Sequence, residues 1–209
     1  ALDSLTTMGT VTNCWFFNNS VVRRGGAVRV SNAVLSFNRN QFQQNSARSG
    51  GSIFAKEAAQ LIISDSTFVN GTSQISGGCV QCTEGSVVNV QNVTFENNTA
   101  MEKGGVISLE SRSSGLVSDS VFVSSRAGNR GGTVSLSESN LECVNVTIRD
   151  STSQHGGAIF LEGPLRVNIS EANFTYSTAN DGGAAALTNA AGIFSNVIFT
   201  NNSRSEEHT

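Results

Sequence analysis

The chain has 209 residues, a formal net charge of −3 and only 14% charged side chains, against roughly a quarter in an ordinary soluble domain. Serine and threonine together number 47 and asparagine 22, so the surface is rich in hydroxyls and amides, and the weak charge excludes the basic footprint of a nucleic-acid or anionic-membrane ligand. No apolar run approaches the roughly 18 residues of a membrane span.

Read from the N-terminus, the chain opens at "ALDSLTT" without an initiator Met or a signal-peptide pattern, and reads as part of a longer or matured polypeptide. The first unit carries Cys14, Trp15 and an aromatic marker at Phe17, then Arg24 and the pair Gly25 and Gly26 opening the strand-like run "GGAVRV". The same order then recurs: Phe42 before Gly50 and Gly51 ("GGSIFA"), Phe68 before Gly77 and Gly78 ("GGCVQC"), Phe95 before Gly104 and Gly105 ("GGVISL"). It continues with Phe122 before Gly131 and Gly132 ("GGTVSL"), Ile148 before Gly156 and Gly157 ("GGAIFL"), and Phe174 before Gly182 and Gly183 ("GGAAAL"), while Phe199 opens an eighth unit. Successive pairs are 25, 27, 27, 27, 25 and 26 residues apart. No linker interrupts this repeat, so residues 1–209 form one solenoid segment.

Each unit holds two alternating apolar runs and a third short feature at the Phe. One run follows the glycines (Val28/Val30, Ile107/Leu109, Val134/Leu136, Ile159/Leu161) and one precedes the Phe (Leu61/Ile63, Val88/Val90, Leu141/Cys143, Val167/Ile169). Alternation with β-branched residues argues strands and against helices. Three short strands per coil of about 26 residues, all running in one direction, stack as an all-β, single-stranded parallel β-helix. About seven coils at about 4.8 Å give a rod on the order of 34 Å long. The phenylalanines then form an internal column of offset rings. The glycine pairs mark a corner where the backbone needs positive φ or very close approach between coils.

The tetrapeptides "GGAV" and "GGAI", alternating in fixed phase with "FQQN", "FENN" and "FTNN", resemble the GGA[ILV] and FxxN repeats of the polymorphic membrane proteins of chlamydial surface autotransporters. The resemblance spans nearly all of the chain, with variants such as "GGCV", "FVSS" and "FTYS". It implies a right-handed parallel β-helix of the pectin-lyase type and a role in surface display and adhesion. Similar repeats occur in large eukaryotic surface proteins.

Catalysis has to be argued from a site, because this fold class hosts both scaffolds and polysaccharide-cleaving enzymes. Three residues before the Phe marker stand Arg39, Asp65, Asn92, Asp119, Asn145, Glu171 and Asn196. Asp65 and Asp119 fall two coils, roughly 10 Å, apart, and the column reads as a turn that takes Asp or Asn for local hydrogen bonds. The connection between the first two strands is nearly constant in length, leaving no long loops to wall a substrate groove. No catalytic residue, metal site or cofactor is therefore expected. "CVQC" (Cys79, Cys82) lacks the second half of a zinc site, and Cys82 and Cys143 read as buried small hydrophobes.

Directly before the glycine pairs stand Arg24, Ser49, Ser76, Lys103, Arg130, His155 and Asp181. Arg24, Lys103, Arg130 and His155 make a possible contact stripe for an anionic glycan or a neighbouring chain's carboxylates, with Asp181 placed to pair with His155. Phe54 and Phe160, between inward positions of the first strand, are expected to face solvent, where they could mark contacts with another chain or another part of the same protein. Eight N-x-[ST] triplets begin at Asn18, Asn70, Asn92, Asn97, Asn145, Asn168, Asn173 and Asn201, where composition alone predicts about five. They lie at turns or on outward strand positions and are candidate N-glycosylation sites.

These readings converge on a non-catalytic module of an extracellular or cell-surface glycoprotein, in a coat, fibre or adhesin. Its expected partners are other copies or other segments of the same assembly, and glycans; nucleic acid and a membrane span in this segment are not expected. The alternatives are an adhesin that binds glycans through the basic corner stripe, and a carbohydrate-active β-helix whose site lies outside these residues.

Overall fold

The computed structural model describes residues 8–163 and 166–204. All of the described structure is strand and turn, wound as a parallel solenoid of eight turns. One sheet stacks eight five-residue strands, from Met8–Thr12 through Gln60–Ser64 and Ser114–Ser118 to Ala191–Ser195. A second stacks the eight three-residue strands that carry the aromatic marker, from Trp15–Phe17 to Ile198–Thr200. The third stacks the seven strands that follow the glycine pairs, from Val28–Ser31 to Ala185–Thr188. To the three strands per coil expected from the sequence the fold adds a two-residue ladder (Ser46–Ala47, Thr72–Ser73, Thr99–Ala100, Arg126–Ala127) between the aromatic strand and the glycine corner.

Register is one to one. Phe42 pairs with Phe68, Phe68 with Phe95, Phe95 with Phe122, Phe122 with Ile148, Ile148 with Phe174 and Phe174 with Phe199. Neighbouring rings in the column are stacked, with centroids 4.4 Å apart for Phe42 and Phe68 and 4.8 Å for Phe95 and Phe122. The aliphatic pairs of the other two sheets fill the rest of the interior, and Ile53, Ile107, Leu109, Leu136, Leu161 and Ile169 are fully buried.

Two members of the expected ladder need correction. Phe17 is 54% exposed, and Phe16 stacks on Phe42 in its place, with centroids 4.5 Å apart. The distance from aromatic to glycine is eight or nine residues in different coils, and the first coil uses nine. Phe199 does stack on Phe174, at 5.1 Å, but remains 49% exposed because it lies in the last described turn.

The 25- and 27-residue coils differ partly in the turn after the glycine strand. The 25-residue coils place one residue there in the left-handed region (Asn32, Glu138); the 27-residue coils place two (Glu57 and Ala58, Glu84 and Gly85, Ser111 and Arg112). An added residue is absorbed in the turn, so strand register survives it.

Candidate functional sites

The two glycines of each pair do different jobs. The first has positive φ in every coil, from 59° at Gly104 to 70° at Gly25. The second faces the next coil: a Cβ on Gly105 would lie 2.0 Å from the Gly132 carbonyl oxygen, and one on Gly51 2.1 Å from that of Gly78. The same holds for Gly26, Gly78, Gly132 and Gly157, each against the carbonyl of the pair above, and Gly183 meets the Ser203 carbonyl instead. Positive φ thus falls on the first glycine, which is crowded by a carbonyl of its own coil, and close approach to the next coil falls on the second.

The last residue of the FxxN motif is an inward bracket. Asn98 is fully buried; its Oδ1 accepts from the Gly71 backbone N–H at 2.7 Å and its Nδ2 donates to the Phe68 carbonyl at 3.1 Å. Asn45 makes the same pair of bonds to Asn19 N and Phe16 O, and Asn202 to Ser177 N and Phe174 O. A buried amide here closes the turn of the coil below with its donor and its acceptor at once. Sequence reading missed this role, although the FxxN phase carried its signal.

Outside the core, the column before the glycines lies rung on rung, with Lys103 bridged to Arg130, Arg130 to His155 and His155 to Asp181. It is not a uniform stripe of free cations. Arg130 pairs with Glu162 and lies over the Phe160 ring at 4.8 Å, and His155 Nδ1 sits 2.8 Å from Asp181 Oδ2. Phe54 and Phe160, expected to be exposed, are 1% and 4% exposed. They do lie on the outer face, but the arginine one coil earlier covers each ring: Arg24 stands 4.8 Å over Phe54, as Arg130 does over Phe160. In the intervening coils Ser76, Gln81 and Ser108 instead converge on the Glu110 carboxylate at 3.2–3.3 Å. The phenyl faces are thereby taken up by cation–π contacts within the chain.

At the N-terminal end of that column Arg24 is joined by Arg23, Arg29 and Arg48 around a groove of about 800 Å³. A second groove, of about 690 Å³, lies along the five-residue strands and is lined by Asn140, Glu142, Arg166 and Asn168.

Asp65 and Asp119 occupy turn positions with φ of 48° and 50°, like every member of their column from Arg39 to Asn196. Each accepts from the asparagine of the next coil, Asn92 Nδ2 to Asp65 at 2.7 Å and Asn145 Nδ2 to Asp119 at 2.9 Å. All eight sequon asparagines are exposed. Asn18, Asn70, Asn92, Asn97, Asn145 and Asn201 stand in left-handed turns, and Asn168 and Asn173 on outward strand positions. Cys79, Cys82 and Cys143 are buried and Cys14 is exposed, all four as free thiols. Burial pushes the Cys82 and Cys143 thiols up to about 12 and raises Cys79 as well. Among the described residues no group of three or more His, Cys, Asp or Glu side chains is placed to hold a metal.

A family model described as the Chlamydia polymorphic membrane protein (Chlamydia_PMP) repeat matches residues 92–110. That stretch runs from the Asn92 turn through Phe95, the Asn98 bracket and the Gly104–Gly105 corner to the end of the following strand. No curated protein and no solved structure matches the chain.

Proposed function

We propose that this chain is a non-catalytic rod segment of an extracellular surface or fibre-forming glycoprotein, wound right-handed as parallel crossovers nearly always are. The observation that carries the reading is the division of labour in each coil. Inward positions repeat as Phe, Ile, Val, Leu and bracketing Asn, whereas turns and outward positions hold the sequon asparagines, all of them exposed. The match of residues 92–110 to a repeat of chlamydial surface proteins supports the same placement. A rod of stacked coils transmits position along its axis with little flexing, which suits display or spacing. Other coils of the same assembly are its natural axial partners, because the strands of a terminal turn offer an unpaired edge.

The Asp65 and Asp119 carboxylates are engaged by turn amides one coil away, which favours a structural role over acid–base chemistry. Antibody raised against the purified rod should label intact cells of the source organism. Labelling seen only after permeabilisation would overturn surface display. Intact mass should fall on glycosidase treatment if the sequons are used. Cleavage of a uronic-acid polymer that disappears in Asp65→Asn or Asp119→Asn would overturn the non-catalytic reading.

A further inference from the structure

The N-terminal coils carry charge opposite to that of the rest of the chain. Residues 4–56 contain six cationic side chains and no carboxylate, while residues 57–209 contain seven cations and fifteen carboxylates. Four of those six cations, Arg23, Arg24, Arg29 and Arg48, line the groove of about 800 Å³, and all four are exposed. Farther along the same corner the column is neutralised within the chain, Arg130 by Glu162 and His155 by Asp181. Among the described residues none of the four groove arginines has a carboxylate partner.

Their arrangement concentrates positive charge on one short stretch of the corner. Arg24 and Ser49 are bridge partners on successive coils, so Arg23 and Arg48 occupy equivalent positions about 4.8 Å apart along the rod. Four exposed guanidiniums on neighbouring coils raise the local positive potential, which an anion lying across them would lower.

The groove also continues. A smaller space of about 250 Å³ shares Arg24 and Ser49 with it and runs along the rod past Gln81 to Lys103, with Glu84 and Glu110 also in its lining. Gln81 is buried, and its Oε1 has no hydrogen-bond donor among the described residues. The arginine groove takes anionic groups, whereas the stretch beyond it, with Glu84, Glu110 and an amide acceptor lacking a donor, suits hydroxyls, so the whole fits a linear ligand that bears its anionic groups at intervals among hydroxyls.

We propose that this trough binds a linear acidic polysaccharide, its sulfate or uronate groups held by the guanidinium forks of Arg23, Arg24, Arg29 and Arg48 and its hydroxyls facing Gln81. A nucleic acid fits less well, because single strands bind on exposed aromatic platforms and the aromatic at this trough, Phe54, is buried beneath Arg24. The inference stands on the trough and is independent of surface display.

The test measures binding of the purified chain at 50 mM and 150 mM salt to heparin as a sulfated probe and polygalacturonate as a uronate probe, with poly-glutamate, single-stranded DNA and inorganic sulfate alongside. At least one polysaccharide should bind at 150 mM salt. Its affinity should fall at least tenfold in Arg23→Gln/Arg48→Gln, and less than twofold in Arg112→Gln/Arg126→Gln, which removes the same charge elsewhere. Heparin binding alone would assign sulfate, and polygalacturonate binding alone would assign uronate. Unchanged melting temperatures in both variants would exclude misfolding, and Arg24→Lys gives a folded second variant that keeps the charge but loses the fork. Equal loss in the two double variants, no polysaccharide binding at 150 mM salt, or tighter binding of poly-glutamate or DNA than of either polysaccharide would overturn the proposal.

Discussion

Gly104 and Gly85 both hold the backbone in the left-handed region, with φ of 59° and 72°, yet they could hardly differ more in what surrounds them. A Cβ on Gly104 would meet the Ile107 carbonyl oxygen at 2.2 Å, whereas a Cβ on Gly85 would find nothing within 4 Å. The coil that begins at Gly104 turns through the same region again at Ser111 and Arg112, at Asp119 and at Ser124. Elsewhere those turns are held mostly by Asn, Asp, Glu or Gln, and also by Arg39, Ala58 and Tyr176. Left-handed φ alone therefore does not demand glycine in this fold. A carbonyl oxygen in the space of the missing side chain does. The corner repeats as Gly-Gly because both of its residues are blocked by backbone, while the open turns need only a residue that tolerates the conformation.

The sharpest way to break this comparison is Gly105→Ala. Its methyl would collide with the Gly132 and Arg126 carbonyl oxygens, both main chain of the next coil, so the ladder on both sides must give. We expect more than about 4 kcal/mol of destabilisation, measured by urea unfolding followed by circular dichroism. A loss under about 1 kcal/mol would mean that the coils can part at the corner and that close approach is not the reason for the second glycine.

Position along the rod gives the next largest contrast. Phe95 is fully buried between Phe68 and Phe122, whereas Phe199 is half exposed on Phe174. Phe95→Ala should cost about 3–5 kcal/mol and Phe199→Ala markedly less, since much of its ring already meets solvent. Equal costs in the same unfolding assay would show that the ring column is not the continuous core described above. The buried amides follow. Asn98→Ala leaves the Gly71 N–H unpaired in the interior, at about 1–3 kcal/mol. Its neighbour Asn97 is exposed and carries only a turn, so Asn97→Ala should cost about 1 kcal/mol.

Much of this was legible in the sequence because a solenoid multiplies each signal by its number of coils. The glycine pairs, the alternating apolar runs and the aromatic column were each visible several times over, and the parallel stack followed from their common phase. The errors arose where the repeat is inexact or where a residue acts on the next coil. Phe17 and Phe16 are both aromatic, and only the register with Phe42 chooses between them. Phe54 and Phe160 were assigned to the correct face, but alternation along one strand cannot reveal an arginine from the preceding coil lying over that face. The cationic N-terminal coils were readable as a stretch without carboxylates from residue 4 to residue 56. Their significance needed the stacking, which brings Arg23 and Arg48 together.

Core and surface also separate in their response to alkaline pH. Cys82 and Cys143 titrate at about 12 in the fold because burial disfavours the thiolate, against about 8.5 in an unfolded chain. Above that unfolded value the unfolded state releases a proton that the folded state keeps. The stability these thiols contribute is thus whole below about pH 8.5 and is lost as pH rises toward 12. The expected slope is about 1.4 kcal/mol per pH unit for each thiol. Melting temperature should fall over this range, and less steeply in Cys82→Ala/Cys143→Ala. At neutral pH a maleimide should modify Cys14 in the folded protein and all four cysteines after denaturation. Labelling of Cys82 in the native state would place it outside the core.

The smallest expected effect carries the opposite sign and returns to the glycine turns. Gly85→Asn places a side chain into open space at a φ of 72°, in the left-handed region that Asn97 and Asn92 already adopt in this chain at 54° and 52°. The substitution narrows the unfolded ensemble while the folded backbone stays as it is, so it should be neutral or stabilise by up to about 1 kcal/mol. Gly104→Asn makes the same chemical change at a similar φ and should unfold the coil, because the Ile107 carbonyl already occupies the space. The two variants differ in one physical variable, the distance from the new Cβ to the nearest backbone oxygen. If they behaved alike, the choice between glycine and asparagine at the turns would rest on φ after all.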